Sequence, residues 1–164
     1  MMRTKLLAIV GLTIIAAVIY GMSLNNPFIY DDDSQIVTNK AVHNFDVQAI
    51  FTGSTFESHG QDKPHGIYYK PFMSLTYAML WKLSNGKPFV FHLFQLVISI
   101  LNAFLIFWLV SYWVSVEISF FIALFFLVHP INTEVIVCIA DMQDVLFFFW
   151  GMLTLILIQM KKTG

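Results

Sequence analysis

Between Phe89 and Trp113 the chain reads FVFHLFQLVISILNAFLIFWLVSYW, 25 residues without an aspartate, glutamate, lysine or arginine. A helix rises about 1.5 Å per residue, so about 20 apolar residues cross the roughly 30 Å of bilayer hydrocarbon. The segment is therefore predicted to span a membrane, and Pro88 just before it suits a helix start. The same criterion selects Leu6 to Leu24, Val114 to Val128 and Val145 to Met160. The last two are shorter and are expected to run untilted, to thin the bilayer or to be shielded by other helices. Composition agrees: 58% of residues are hydrophobic, 12% are charged and mean hydropathy is +0.74. A soluble domain runs about 45–50% apolar and about 25% charged. The expected fold class is an all-α membrane protein of four spans, with a long first extracytoplasmic loop carrying short interfacial helices.

The charged residues set the orientation. Arg3 and Lys5 precede the first span, Lys161 and Lys162 follow the fourth, and an even number of crossings puts both termini on the cytoplasmic side. Lys40, Lys63, Lys70, Lys82 and Lys87 lie between the first two spans, but a loop of that length translocates largely regardless of its charge. Gly21-Met22-Ser23 fits a signal-peptide cleavage site, yet the preceding apolar run exceeds the usual 7–15 residues or so, which favours an anchor. A net charge of −1 without a basic run excludes nucleic acid as an evident partner. Cys138 is the one cysteine, so no intrachain disulfide exists.

The outer loop, residues 25–87, divides by composition. Its first part is polar, with Gly53, Ser54, Gly60 and Pro64 as breakers. In its second part Pro71 can start a helix near 70–83, with Phe72, Leu75, Met79, Leu80 and Leu83 at helical spacing, at or re-entering the membrane interface, before Asn85-Gly86 ends it. Within the second span His92, Gln95, Ser99 and Asn102 are spaced three, four and three, which stacks them on one helix face. A polar stripe in hydrocarbon must face other helices or water, and interhelical hydrogen bonding is the expected use.

Two acidic groups carry the chemistry. Asp31, Asp32 and Asp33 follow the first span; Glu134, Asp141 and Asp144 lie in the outer segment 129–144 after the third, on the same side of the bilayer. If 134–144 is one helix, with Asn132 or Thr133 as its cap, spacings of four, three and three gather Glu134, Cys138, Asp141 and Asp144 along one side. Repulsion and partial burial then raise at least one carboxyl pKa unless a cation intervenes, and a divalent metal is one such cation. A solvated helix rim explains the second group equally well, and a capped turn after Pro27, through Asp33 or Ser34, explains the first.

Phe28-Ile29-Tyr30-Asp31-Asp32 with Ile36 and Asn39, Tyr68-Tyr69-Lys70-Pro71-Phe72, Phe91-His92-Leu93 with Gln95 and Asn102, and His129-Pro130 with Glu134 recur in this order. Together they resemble the amino-terminal part of GT-C-fold glycosyltransferases, nearest to the O-mannosyltransferase-like group that includes the tetratricopeptide-bearing membrane mannosyltransferases. The resemblance implies inverting transfer of a sugar from a polyprenyl-phosphate carrier to an acceptor on the non-cytoplasmic side. It implies Asp31 or Asp32 as catalytic base, with Lys70, His129 and Glu134 as substrate- or phosphate-binding residues. The partners it implies are a lipid-linked sugar donor and membrane lipid. Lys70 stands where the family usually carries arginine, Ser99 where a second histidine is common, and Met142 and Gln143 where a basic residue often precedes the last acid. Enzymes of that fold have more than four spans, so the resemblance implies completion by further spans or by a partner. The alternative is a non-catalytic small membrane subunit or truncated remnant whose aromatic-rich helices pack against a larger membrane protein.

Overall fold

The computed structural model describes residues 2–55 and 68–163, so Gly60 and Pro64 lie outside the described residues. Among these residues every regular element is helical. Four long pieces build the scaffold: α1 (Met2–Tyr20), α5 (Pro88–Val110), the pair α6 (Val116–Val128) and α7 (Pro130–Val137), and α8 (Met142–Thr163). Between α1 and α5 come a 3-10 turn (Gly21–Asn25), a π-helical turn (Asp33–Val37), α2 (Lys40–His43), α3 (Val47–Thr52) and α4 (Pro71–Ser84).

Three stretches are long and apolar enough to cross a bilayer: Arg3–Asn25, Pro88–Val110 and Ile139–Lys162, with mean hydropathies of 2.3, 2.4 and 1.6. The α6–α7 pair is a broken span or a re-entrant loop. Thirteen residues of α6 reach only about 20 Å, and α7 continues at a 60° bend. The cause is local: Pro130 lacks an N–H, so the α6 ladder cannot run through it, and His129 takes an extended ψ of 132°. His129 Nδ1 then accepts from the Ile131 N–H at 3.2 Å and caps α7. Asn132, a candidate cap from sequence, instead donates to the Phe126 carbonyl at 2.7 Å, satisfying an end of α6.

α5 is the central element and packs on α1, α4, α6, α7 and α8. One core lies among the long helices. Ala8, Leu12, Ala16 and Tyr20 repeat every four residues down one side of α1 and are buried with Leu96, Ala103, Ala123 and Leu127. Small side chains let the helices approach closely, and a Cβ on Gly11 would sit 3.5 Å from the Phe120 ring. Tyr20 closes this core by donating its hydroxyl to the Leu127 carbonyl at 2.8 Å, which ties the end of α1 to the end of α6.

A second core lies beyond those ends, where Ile36, Val42, Ile50, Met73, Tyr77, Phe91, Ile139 and Met142 are buried together. Asn39 and Asp46 cap α2 and α3 by accepting from the Val42 and Ala49 amides. Thr55 joins the loop to the start of α4, its N–H donating to the Tyr68 carbonyl and its hydroxyl accepting from the Lys70 amide. The helix expected near 70–83 forms as α4. Met73, Tyr77, Leu80 and Ser84 point inward, whereas Phe72, Met79 and Leu83 are exposed. The helix carries apolar residues on two sides, and periodicity alone cannot tell which side meets protein.

Candidate functional site

The site is built at the turn after α1. Tyr30 adopts a left-handed backbone, φ 50°, which costs a residue with a Cβ about 1–2 kcal/mol. That reversal folds Asp32 back on the irregular segment before it. The Asp32 N–H donates to the Ile29 carbonyl at 3.0 Å, and the Ile29 N–H donates to Asp32 Oδ2 at 3.0 Å. Adjacent carboxylates therefore diverge. Asp31 is exposed, while Asp32 is completely buried and its Oδ1 has no hydrogen-bond partner. Neither Asp33 nor Ser34 caps the next turn. The Asp33 carbonyl accepts from Thr38, and the Ser34 hydroxyl donates to the Asp31 carbonyl.

Of the second acidic group, Asp141 lies within electrostatic reach of Asp32, brought there by a different route from the one its spacing implied. α7 ends at Val137, Cys138 is extended with ψ 117°, and a 3-10 turn (Ile139–Asp141) leads into α8. Glu134, Cys138, Asp141 and Asp144 thus do not line one continuous helix. Two buried side chains hold the break. Gln95 Nε2 donates to the Val135 and Cys138 carbonyls, and the Tyr77 hydroxyl donates to the Ile139 carbonyl at 2.9 Å. The Cys138 and Ile139 carbonyls also accept from the Asp141 and Met142 amides of the turn, so these side chains add second bonds that fix it. Further along the stripe Asn102 Nδ2 donates to the Val145 carbonyl at 3.0 Å, and Ser99 donates within α5 to Gln95 at 2.8 Å. The stripe is used for packing the helix break. His92 faces the Asn26 and Pro27 backbone, although neither ring nitrogen completes a hydrogen bond.

The electrostatics mark Asp32 as the centre. Burial raises its carboxyl from an ordinary 3.8 to about 6, with Asp141 and Asp31 adding repulsion, against the lowering effect of the Ile29 and Ala140 amides. The Ala140 amide is close without completing a hydrogen bond to Oδ1. Burial first, then the Asp32 charge, holds the Tyr77 phenol well above 10, so it remains a donor. Burial and Asp141 push the Cys138 thiol up to about 11, and that thiol hydrogen-bonds the Asp141 side chain. Lys70, half-buried at the start of α4, supplies positive charge within electrostatic reach of Asp141, where Asp144 and Glu134 also act.

Of the residues singled out from sequence, Asp31 and Asp141 lie within electrostatic reach of Asp32, and Lys70, Asp144 and Glu134 within electrostatic reach of Asp141. His129 is committed locally, capping α7 and packing edge-on against Phe125 at 5.0 Å. Tyr77 was not singled out, because its helical position gives no sign that its hydroxyl reaches a carbonyl 62 residues away. Among the described residues no group of three His, Cys, Asp or Glu could hold a metal ion.

The chain is similar to protein O-mannosyl-transferases. It is 27% identical over 133 residues to protein O-mannosyl-transferase TMTC3 of Mus musculus, covering 80% of this chain and 14% of the relative. It is 25% identical over 150 residues to the Homo sapiens TMTC3 protein, covering 87% and 16%. To protein O-mannosyl-transferase TMTC1 of Homo sapiens it is 30% identical over 131 residues, covering 77% and 15%. The chain thus spans about a seventh of the length of these curated relatives. No family model matches it, and no solved structure matches it.

Proposed function

We propose that this chain forms the acid-bearing part of an inverting, polyprenyl-phosphate-sugar-dependent glycosyltransferase of the mannosyltransferase type, with Asp32 as general base on the non-cytoplasmic side. The observation that carries the reading is a fully buried carboxylate with a free oxygen and a pKa of about 6. A carboxylate near its ordinary pKa is a feeble base toward an alcohol; one raised toward neutrality stays ionised at pH 7 yet accepts a proton more readily. Asp31 is exposed and acts through its charge on Asp32.

In the proposed step the acceptor hydroxyl attacks the anomeric carbon as Asp32 Oδ1 takes its proton. The new glycosidic C–O bond forms on the face opposite the breaking bond to the carrier phosphate, which leaves with the electron pair. Lys70 is the candidate for positive charge toward that phosphate, and His129, with Nε2 unused by its cap, is the candidate hydrogen-bond donor. Glu134 orients the acceptor. Similarity to the O-mannosyl-transferases supports the reaction class, and the coupling between Asp32 and Asp141 supports one acid centre built from two segments. The chain is completed by further spans or by a larger membrane partner.

The test is sugar transfer from a polyprenyl-phosphate mannose donor by membranes containing the chain with its completing segments. Asp32→Asn should lower turnover by about 10²–10⁴, with membrane insertion intact, and Asp31→Asn should lower it far less. Undiminished transfer by Asp32→Asn overturns the reading.

A further inference from the structure

A cleft of about 150 Å³ opens between α5, α6, α7 and α8, lined by Ser99, Asn102, Phe126, Asn132, Asp144 and Phe148 among others. It is separate from Asp32, and nothing in the proposed transfer step uses it. A volume near 150 Å³ holds a guest the size of benzene, larger than a bare inorganic ion.

The hydrogen-bonding inventory of the wall is one-sided. Asn102 spends its Nδ2 on the Val145 carbonyl, Asn132 spends its Nδ2 on the Phe126 carbonyl, and Ser99 spends its proton on the Gln95 carbonyl. Each amide keeps one further N–H, but the free lone pairs outnumber the free donors. Asn102 is 2% exposed, and its Oδ1 has no partner; the Asn132 oxygen and the Asp144 carboxylate add further lone pairs. Asp144 brings a negative charge, and no cationic side chain is among the lining residues. The remaining wall is the stacked pair Phe126 and Phe148, with centroids 5.0 Å apart, whose faces attract cations. A neutral, sugar-like guest would leave the Asp144 charge uncompensated. A guest that donates N–H groups and carries positive charge meets both that carboxylate and the unpartnered Asn102 oxygen.

We propose that this cleft binds a primary ammonium group, carried by the ethanolamine head of a phospholipid or by a free alkylammonium. Asp144 neutralises the charge, Asn102 and Asn132 accept N–H donors, and the phenylalanines cover the attached carbons. Asp144 sits in the first turn of α8, the end of that span at which a lipid head lies.

The test uses the 164-residue chain purified in detergent, with thermal unfolding followed by tryptophan fluorescence. Ethylammonium chloride is compared with sodium chloride and tetramethylammonium chloride at equal ionic strength. Ethylammonium should raise Tm saturably, by at least about 4 °C, while the other two salts should not, since neither has an N–H. Asp144→Asn should remove the rise, Asp144→Glu should retain it, and Glu117→Gln, at the start of α6, should leave it unchanged. Nanodiscs of phosphatidylcholine with and without phosphatidylethanolamine distinguish the sources. Stabilisation by phosphatidylethanolamine that Asp144→Asn abolishes supports the lipid, and a response to ethylammonium alone supports a soluble amine. An equal response to sodium or tetramethylammonium, a response that survives Asp144→Asn, or no response overturns the proposal.

Discussion

At the scale of single residues, the burial of Asp32 has a consequence for stability as well as for chemistry. Its carboxyl binds a proton more tightly in the folded chain, at about 6, than its ordinary 3.8. Folding is therefore unpenalised by this group below about pH 3.8 and increasingly penalised as pH rises to about 6, beyond which the penalty is constant. Asp32→Asn should accordingly raise Tm at pH 7.5 and change it little at pH 4, as thermal unfolding at both pH values will show. Transfer by the unmodified site should move the opposite way, rising with pH through about 6 to a plateau. A group that lowers stability while conferring reactivity is the expected signature of a functional position. The left-handed Tyr30 beside it fits the same pattern, being 87% exposed and without core packing to explain the strain. Tyr30→Gly should keep or raise Tm, because glycine adopts that conformation without a clash.

Elements were legible from sequence in proportion to how local their causes are. Pro88 starts α5 and Pro71 starts α4, as their fixed φ dictates. Asn85 and Gly86 end α4 with φ of 51° and 76°, and the Gly86 amide donates to the Trp81 carbonyl at 3.2 Å. A Cβ on Gly86 would lie 3.0 Å from the Trp81 ring, so Gly86→Ala should cost about 1–2 kcal/mol in denaturant unfolding. The helix break at Cys138 was not legible. No proline or glycine marks it, and the side chains that hold it, Gln95 and Tyr77, come from other helices. Gln95→Leu should then destabilise the chain by about 1–2 kcal/mol. Tyr77→Phe should loosen the same turn and speed maleimide labelling of Cys138, the one native thiol, at a fixed pH.

For the whole molecule, the antiparallel course of the long helices brings the end of α1, the start of α5, the α6–α7 bend and the start of α8 to one end, where the second core sits. Lys161 and Lys162 lie at the other. In a Cys138→Ser background, cysteines introduced at Asp46 and Glu134 should label with a membrane-impermeant reagent from one side, and one at Lys162 only from the other. Labelling of Asp46 and Glu134 from opposite sides would dismantle the acid centre. Length and apolarity sufficed to recognise the membrane class, since crossing hydrocarbon imposes a requirement any single segment must meet alone.

What the sequence alone determined are properties written within a few residues: apolar runs, proline starts, a glycine stop, a polar stripe and two acidic groups. The tertiary structure decided which of two adjacent aspartates is buried, which face of α4 meets protein, and how Asp141 comes to face Asp32. Those outcomes depend on contacts between segments distant in sequence, such as Tyr77 with Ile139 and Gln95 with Cys138. Desolvation, which sets the Asp32 pKa, has no meaning until the chain has closed around it.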